Sequence, residues 1–185
     1  MAEDHPVVGL RPWREDDLPL LERLLGDPAT TAYLGGPETP EKVRSRHERY
    51  LGLADPAADC VFAVVVGVDE TPAGWVGYWE SEWQGEAIWE IGWSVLPEFQ
   101  GRDLATEATA LAIATARAAA THRFMHAFPS VDNAASNSIC RKVGFLLLGV
   151  VDIEYPSGNP MRSNDWCLDL VGEAAVSDSF GDVAG

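Results

Sequence analysis

The segment Gln100-Gly101-Arg102-Asp103-Leu104-Ala105 follows an apolar stretch ending at Val95 and precedes a run rich in alanine. A strand that passes almost directly into a helix leaves the first helical N–H groups unpaired and aims the positive end of the dipole at whatever lies in front, which suits a diphosphate. Gly101 and the small Ala105 permit close approach of the backbone, and Arg102 offers phosphate a charged donor. By residue type alone, the same segment also reads as a plain strand-to-helix turn with a solvated arginine. Asp103 has two readings as well. Near a diphosphate its carboxylate repels and its side chain obstructs; at a helix N-cap, where aspartate tolerates unusual backbone angles, it points outward and leaves the amides facing the anion.

A second chemical group centres on Glu90. Trp83-Gln84-Gly85-Glu86 has the form of a two-residue hairpin, which pairs Trp83 with Glu86, Trp79 with Glu90 and Trp75 with Ser94. Paired residues project to one side, so Trp75, Trp79 and Trp83 share a sheet face with Glu90. A carboxylate beside indoles loses hydration, and its pKa rises toward the range useful to a general base. An amine nucleophile needs such a base, because it is protonated near neutral pH. With Glu80, Glu82 and Glu86 close by, the expected mouth is acidic and aromatic and attracts an aliphatic amine or a peptide N-terminus. The plainer alternatives are a half-exposed Glu90 paired with a cation and tryptophans that serve as core.

Other chemistries find little support. His5, His47, His122 and His126 are scattered without HxxxH or HxE spacing, so no metal is expected. Cys60, Cys140 and Cys167 are odd in number and lack a CxxC pair, which suggests reduced thiols and a cytoplasmic protein. There is no GxSxG element and no P-loop lysine. A net charge of −16 on 185 residues argues against nucleic acid or an anionic membrane as partner, since both need a basic surface. No apolar run approaches the roughly 20 residues of a membrane span, and Met1–His5 lacks the order of a signal peptide. A homodimer is compatible with the sequence but not required by it.

The elements that must position these groups follow from periodicity. Val7–Trp13 reads as a strand, and Leu20, Leu21, Leu24 and Leu25 recur at helical spacing until Gly26-Asp27-Pro28. Thr39 caps a second helix with Pro40 at its first position, continuing to about Leu53. Cys60–Val68, Ala73–Trp83 and Glu86–Val95 form a meander, with a turn at Asp69-Glu70-Thr71-Pro72. Ala108–Ala120 is a helix whose small side chains let it lie close to a sheet. Phe124–Phe128 is a short strand, Ala134–Lys142 a helix stopped by Gly144, and Phe145–Tyr155 and Asp165–Leu170 the last strands. The turn-rich loop Pro156–Pro160 and the residues up to Asn164 separate those two strands. The order is βααβββαβαββ: an α/β (α+β) domain over residues 1–170, with about seven mostly antiparallel strands and about four helices. The remainder, 171–185, is an acidic tail expected to be mobile.

Val95-x-Pro97-x-x-Gln100-Gly101-Arg102-x-Leu104-Ala105 resembles the acyl-CoA loop of the GNAT superfamily of N-acetyltransferases, whose pattern is Q/R-x-x-G-x-G/A. Asp103 stands where that pattern has its central glycine. Asn133-x-x-Ser136-x-x-x-Cys140-Arg141-Lys142-x-Gly144-Phe145 is similar to the superfamily's second conserved segment, and Glu90-Ile91-Gly92-Trp93 resembles the EIGY strand of the RimJ/RimL-like branch. The similarity in element order runs from about Val7 to Leu170.

The resemblance implies direct transfer of an acetyl or other short acyl group from acetyl-CoA (acyl-CoA) to a primary amine, either a small molecule or a peptide N-terminus. Glu90 would act as base and Ser136 as proton donor to the leaving thiolate. It places Ser94, Val95, Gln100, Gly101, Arg102, Asp103, Leu104, Ala105, Asn133, Ser138 and Arg141 on the cofactor and leaves Trp75, Trp79 and Trp83 for the acceptor. Cys140 falls where many members carry a tyrosine; a thiol donates weakly, and a buried small hydrophobe is the better reading. Asn133 also suits a helix cap. A non-catalytic acyl-CoA-binding domain, weakened by Asp103, is the alternative reading, with a nucleotide-binding module as a third.

Overall fold

The structure is a computed structural model and describes residues 7–172. His5 and the acidic tail from Glu173 onward lie outside the described residues. Within them the chain forms β1 (Val8–Pro12), α1 (Leu18–Gly26), α2 (Pro40–Tyr50), β2 (Cys60–Val66), β3 (Thr71–Trp83), β4 (Glu86–Val95), α3 (Leu104–Ala119), β5 (Phe124–Ala127), α4 (Ala134–Lys142), β6 (Leu146–Glu154) and β7 (Pro160–Asp169). Seven strands make one mixed sheet in the order β1-β2-β3-β4-β5-β7-β6. The fold class and element order are those expected from the sequence.

The entry into α1 is fixed electrostatically. Arg11 donates two bonds of 2.7 Å to the two carboxylate oxygens of Asp17, which also accepts from the Arg14 amide at 2.8 Å. Both side chains are buried, so each depends on the other for its charge. Leu20, Leu21, Leu24 and Leu25 are the buried stripe of α1. Leu21 and Leu24 are wholly buried, each stabilising the fold by about 2 kcal/mol. Thr39 caps α2, its hydroxyl accepting from the Lys42 amide at 3.4 Å.

All neighbouring strands are antiparallel except β4 and β5, which are parallel and joined through α3. Gln84 and Gly85 both have positive φ, 53° and 84°, the turn that two-residue hairpins favour. The resulting register pairs Trp83 with Glu86, Trp79 with Glu90 and Trp75 with Ser94. Ala108, Ala112 and Ala116 of α3 pack with Val76, Tyr78, Trp89 and Met125 in the main core, where small side chains allow close approach. The second core joins α1 and α2 to Val61, Ala63 and Trp75.

Several boundaries differ from the sequence reading, and three of them have a clear physical reason. β3 begins at Thr71 rather than after a turn through Pro72; a register shift at Val64/Val65 lets the central strand accept a proline. β7 begins at Pro160, so Pro160–Asn164 is strand and pairs with Glu154–Val150. That stretch carries Arg162, Ser163 and Asn164, and its burial comes from neighbouring elements, so no apolar alternation marks it. The third is α3, which starts at Leu104 and adds a turn before the alanine run.

Candidate active site

β4 and β5 are bonded only through Trp89 with Met125 and Glu90 with His126. Past Glu90 that pairing stops, and residues 90–95 of β4 and 127–130 after β5 line a cleft of about 580 Å³. The start of α3 closes one end. Gly101 (φ 73°) and Asp103 (φ 57°) are both left-handed, and the Gln100 side-chain Nε2 donates to the Val95 carbonyl at 3.1 Å, which ties the loop to the strand it leaves. Leu104 anchors the first turn in a small core with Val66 and Ala73. The Glu107 amide donates to the Asp103 carbonyl at 3.0 Å; the amides of Leu104, Ala105 and Thr106 come before it and have no helical acceptor. All three residues line the cleft. The arrangement fits a diphosphate.

The Asp103 carboxylate lies 2.5 Å from Nζ of Lys142 on α4, and both side chains are largely exposed. The pair joins the start of α3 to the end of α4, and the lysine offsets the carboxylate's repulsion of an anion. Arg102 is absent from the cleft wall.

Farther in, α4 presents Asn133, Ser136 and Ser138 to the cleft. Asn133 is the N-cap: its Oδ1 accepts from the Ser136 amide at 3.1 Å. The buried Asn137 side chain donates to the Ser130 and Asn133 carbonyls at 2.9 and 2.8 Å, and accepts from Asn164 and from the Trp166 indole at 2.7 and 2.8 Å. With its amide fully used, Asn137 locks α4 to β7 and so sets the position of Ser136. Arg141 instead lies over the Trp166 ring, 5.7 Å from its centroid, and does not line the cleft. Cys140 is fully buried in the main core, where desolvation pushes its thiol up to about 12.

Glu90 lies on the cleft wall with Trp75 and Trp79. Burial raises its pKa above the ordinary carboxylate value, while the Ser81 hydroxyl, the Trp79 indole and the charge on His126 favour its ionised form. Trp75 is both wall and core: it packs at 5.8 Å from Tyr50 and contributes to the second core. Trp83 is placed elsewhere. Its indole donates to Asp165 at 3.0 Å and packs tilted against Phe128 at 4.8 Å, and it does not line the cleft.

Sequence reasoning missed the group behind Glu90. Asp165 is buried, its second oxygen 2.7 Å from Nδ1 of His126, which is buried in turn and paired in register with Glu90. His126 also stacks on Phe128, a cleft residue, at 5.8 Å. A lone histidine in a four-residue strand gives no local signal; only the pairing of β5 with both β4 and β7 brings the three residues together. The acidic mouth is a correction too. Strand alternation sends Glu80 and Glu82 to the face opposite Trp79 and Glu90, and Glu86 sits exposed at the hairpin, so none of the three lines the cleft.

A cleft between diverging parallel strands is closed by a helix start whose amides suit an anion, and it carries the half-buried carboxylate of Glu90. The family profile described as "Acetyltransferase (GNAT) domain" matches residues 8–146, and the chain belongs to the GNAT acetyltransferase family. An acetyltransferase (GNAT family) from Bacillus anthracis superposes with a TM-score of 0.74 at 19% identity, covering 88% of this chain and 95% of that one. RimL, a ribosomal L7/L12 alpha-N-protein acetyltransferase in complex with coenzyme A, gives 0.72 at 21% identity over 88% and 93%. Spermidine N-acetyltransferase from Vibrio cholerae, in complex with CoA and spermine, gives 0.71 at 16% over 88% and 95%. No curated protein sequence matches the chain. No helix among the described residues is long and apolar enough to cross a membrane.

Proposed function

We propose that the protein is a RimJ/RimL-like N-acyltransferase that moves an acetyl or other short acyl group from acyl-CoA to a primary amine by direct attack, with Glu90 as general base. One observation carries this reading: the half-buried Glu90 and the open amides of the α3 N-terminus line the same cleft. Acyl-CoA supplies a thioester whose carbonyl carbon is the electrophile and whose thiolate leaves. Gln100, Gly101, Asp103, Leu104 and Ala105 hold its diphosphate through backbone groups, with Ser94 and Val95 along β4 and Asn133 and Ser138 along α4 facing the rest of the cleft. Glu90 takes a proton from the ammonium group and so frees the nitrogen lone pair, and its raised pKa makes it a stronger base than an exposed carboxylate. Ser136, held at the first turn of α4, gives a proton at the departing sulfur. The free thiols at Cys60, Cys140 and Cys167 suit a cytoplasmic setting.

Thiol release from acetyl-CoA across a panel of primary amines tests this directly. The expected result is turnover on at least one amine, lost in Glu90→Gln. Tight CoA binding with no turnover on any amine would make the chain a binding domain instead.

A further inference from the structure

The charge of the acceptor can be read from what the cleft lacks. The chain carries 29 acidic residues, yet among the described residues only Glu90 and Asp103 supply carboxylates to the cleft wall. Asp103 belongs to the α3 end and is paired with Lys142, the one basic residue on the wall among the described residues. At the other end Glu90 is the one carboxylate on the wall among the described residues. Two connections build that end. The segment between α1 and α2 brings Tyr33 and Leu34, and the β6–β7 hairpin brings Tyr155 and Met161. These connections abut: a Cβ added to Gly35, whose φ is +87°, would lie 2.7 Å from Cδ of Pro156. Tyr33 and Tyr155 keep 42% and 37% of their surface exposed and line the same cleft as Trp75 and Trp79.

A polyamine or an aminoglycoside carries several charges, and each charge beyond the first would lose hydration here without gaining a carboxylate. A primary amine with a single charge, borne a carbon or two from an apolar or aromatic body, fits both features: one carboxylate for the nitrogen, aromatic walls for the body and for cation–π contact. We infer that the acceptor is such a singly charged, apolar or aromatic primary amine and not a polycation. This rests on the transferase reading above and names the substrate class of the same site.

The test uses the full chain and two readouts. In the first, acetyl transfer from acetyl-CoA is measured to 2-phenylethylamine, spermidine and kanamycin, and to two peptides differing only in an N-terminal Phe or Ser. The expected kcat/KM for 2-phenylethylamine exceeds that for either polycation by about thirtyfold or more. A Phe-initiated peptide that outruns 2-phenylethylamine identifies a chain N-terminus as the source of the amine; the reverse identifies a free metabolite. In the second, binding of 2-phenylethylamine and spermidine is followed by quenching of tryptophan fluorescence, in the parent and in Tyr33→Ala and Tyr155→Ala. Both variants are expected to weaken 2-phenylethylamine and leave spermidine unchanged. Spermidine or kanamycin equal to or better than 2-phenylethylamine in either readout overturns the inference while leaving the transferase intact. Selective binding of 2-phenylethylamine without any acetylation supports the inference and removes the transferase reading.

Discussion

The two ends of the cleft are built on different principles. The α3 end is made of backbone: left-handed Gly101 and Asp103, amides with no helical acceptor, and a glutamine side chain that only ties the loop down. The acceptor end is made of side chains drawn from β3, β4 and two loops far apart in the chain. A backbone site depends on a few local dihedral angles, so most side chains within it can change at little cost. A side-chain site depends on the whole sheet register and is sensitive to single substitutions.

The largest effect should come from the acceptor end. Glu90→Gln is expected to lower kcat/KM by about 10²–10⁴ while CoA affinity, measured by calorimetry, stays near the parent value. Its thermal stability should not fall at pH 7. Burial raises the folded-state pKa of Glu90, so the carboxyl's contribution to stability is complete below its unfolded-state pKa and is lost as pH rises through the folded value. Removing the charge therefore forfeits nothing at neutral pH, and a drop in melting temperature would mean that Glu90 is structural.

Next in size is the α3 end, where Gly101→Val forces a branched residue into φ 73°. Strain of about 1–3 kcal/mol at that turn should raise the KM for acetyl-CoA about tenfold or more and leave the acceptor preference alone. An altered preference would show that the two ends are not separable.

The pH profile follows from the sign of the Glu90 shift. The base works only when ionised, so kcat/KM should rise through a pKa above the ordinary glutamate value of about 4.3. His126→Gln removes a charge that favours the ionised carboxylate and should move this acid limb to higher pH. An unchanged limb would assign it to another group.

The smallest effect is expected from Asp103→Asn. The side chain is exposed and bonded to Lys142, and exposed ion pairs are worth about 0–1 kcal/mol, so the KM for acetyl-CoA should change by no more than about threefold. A large drop in KM would show that the carboxylate does repel the diphosphate.

Most of the fold was legible in the sequence because its signals are local. Leucine spacing marks α1, Thr39-Pro40 opens α2, and Gln84-Gly85 fixes the hairpin that sets Trp79 opposite Glu90. The early part of β7 was not legible, since Arg162, Ser163 and Asn164 are polar and Ser163 is buried by its neighbours. Among the site residues, Glu90, Ser136 and the α3 loop could be marked, whereas Arg102, Arg141 and Trp83 are placed off the cleft wall by contacts no short motif encodes.

What the sequence determined alone is the set of chemical groups and the backbone device for an anion, because a glycine turn before a helix acts wherever the chain puts it. Which carboxylates face the cleft was decided by tertiary structure. Alternation along β3 turns Glu80 and Glu82 away, β5 sets His126 and Asp165 behind Glu90, and two distant loops meet at Gly35 and Pro156 to surround one acid with aromatic walls. Among the described residues of this strongly acidic chain, Glu90 is the one carboxylate on the cleft wall away from α3, since a site's charge is set by the side chains that reach it.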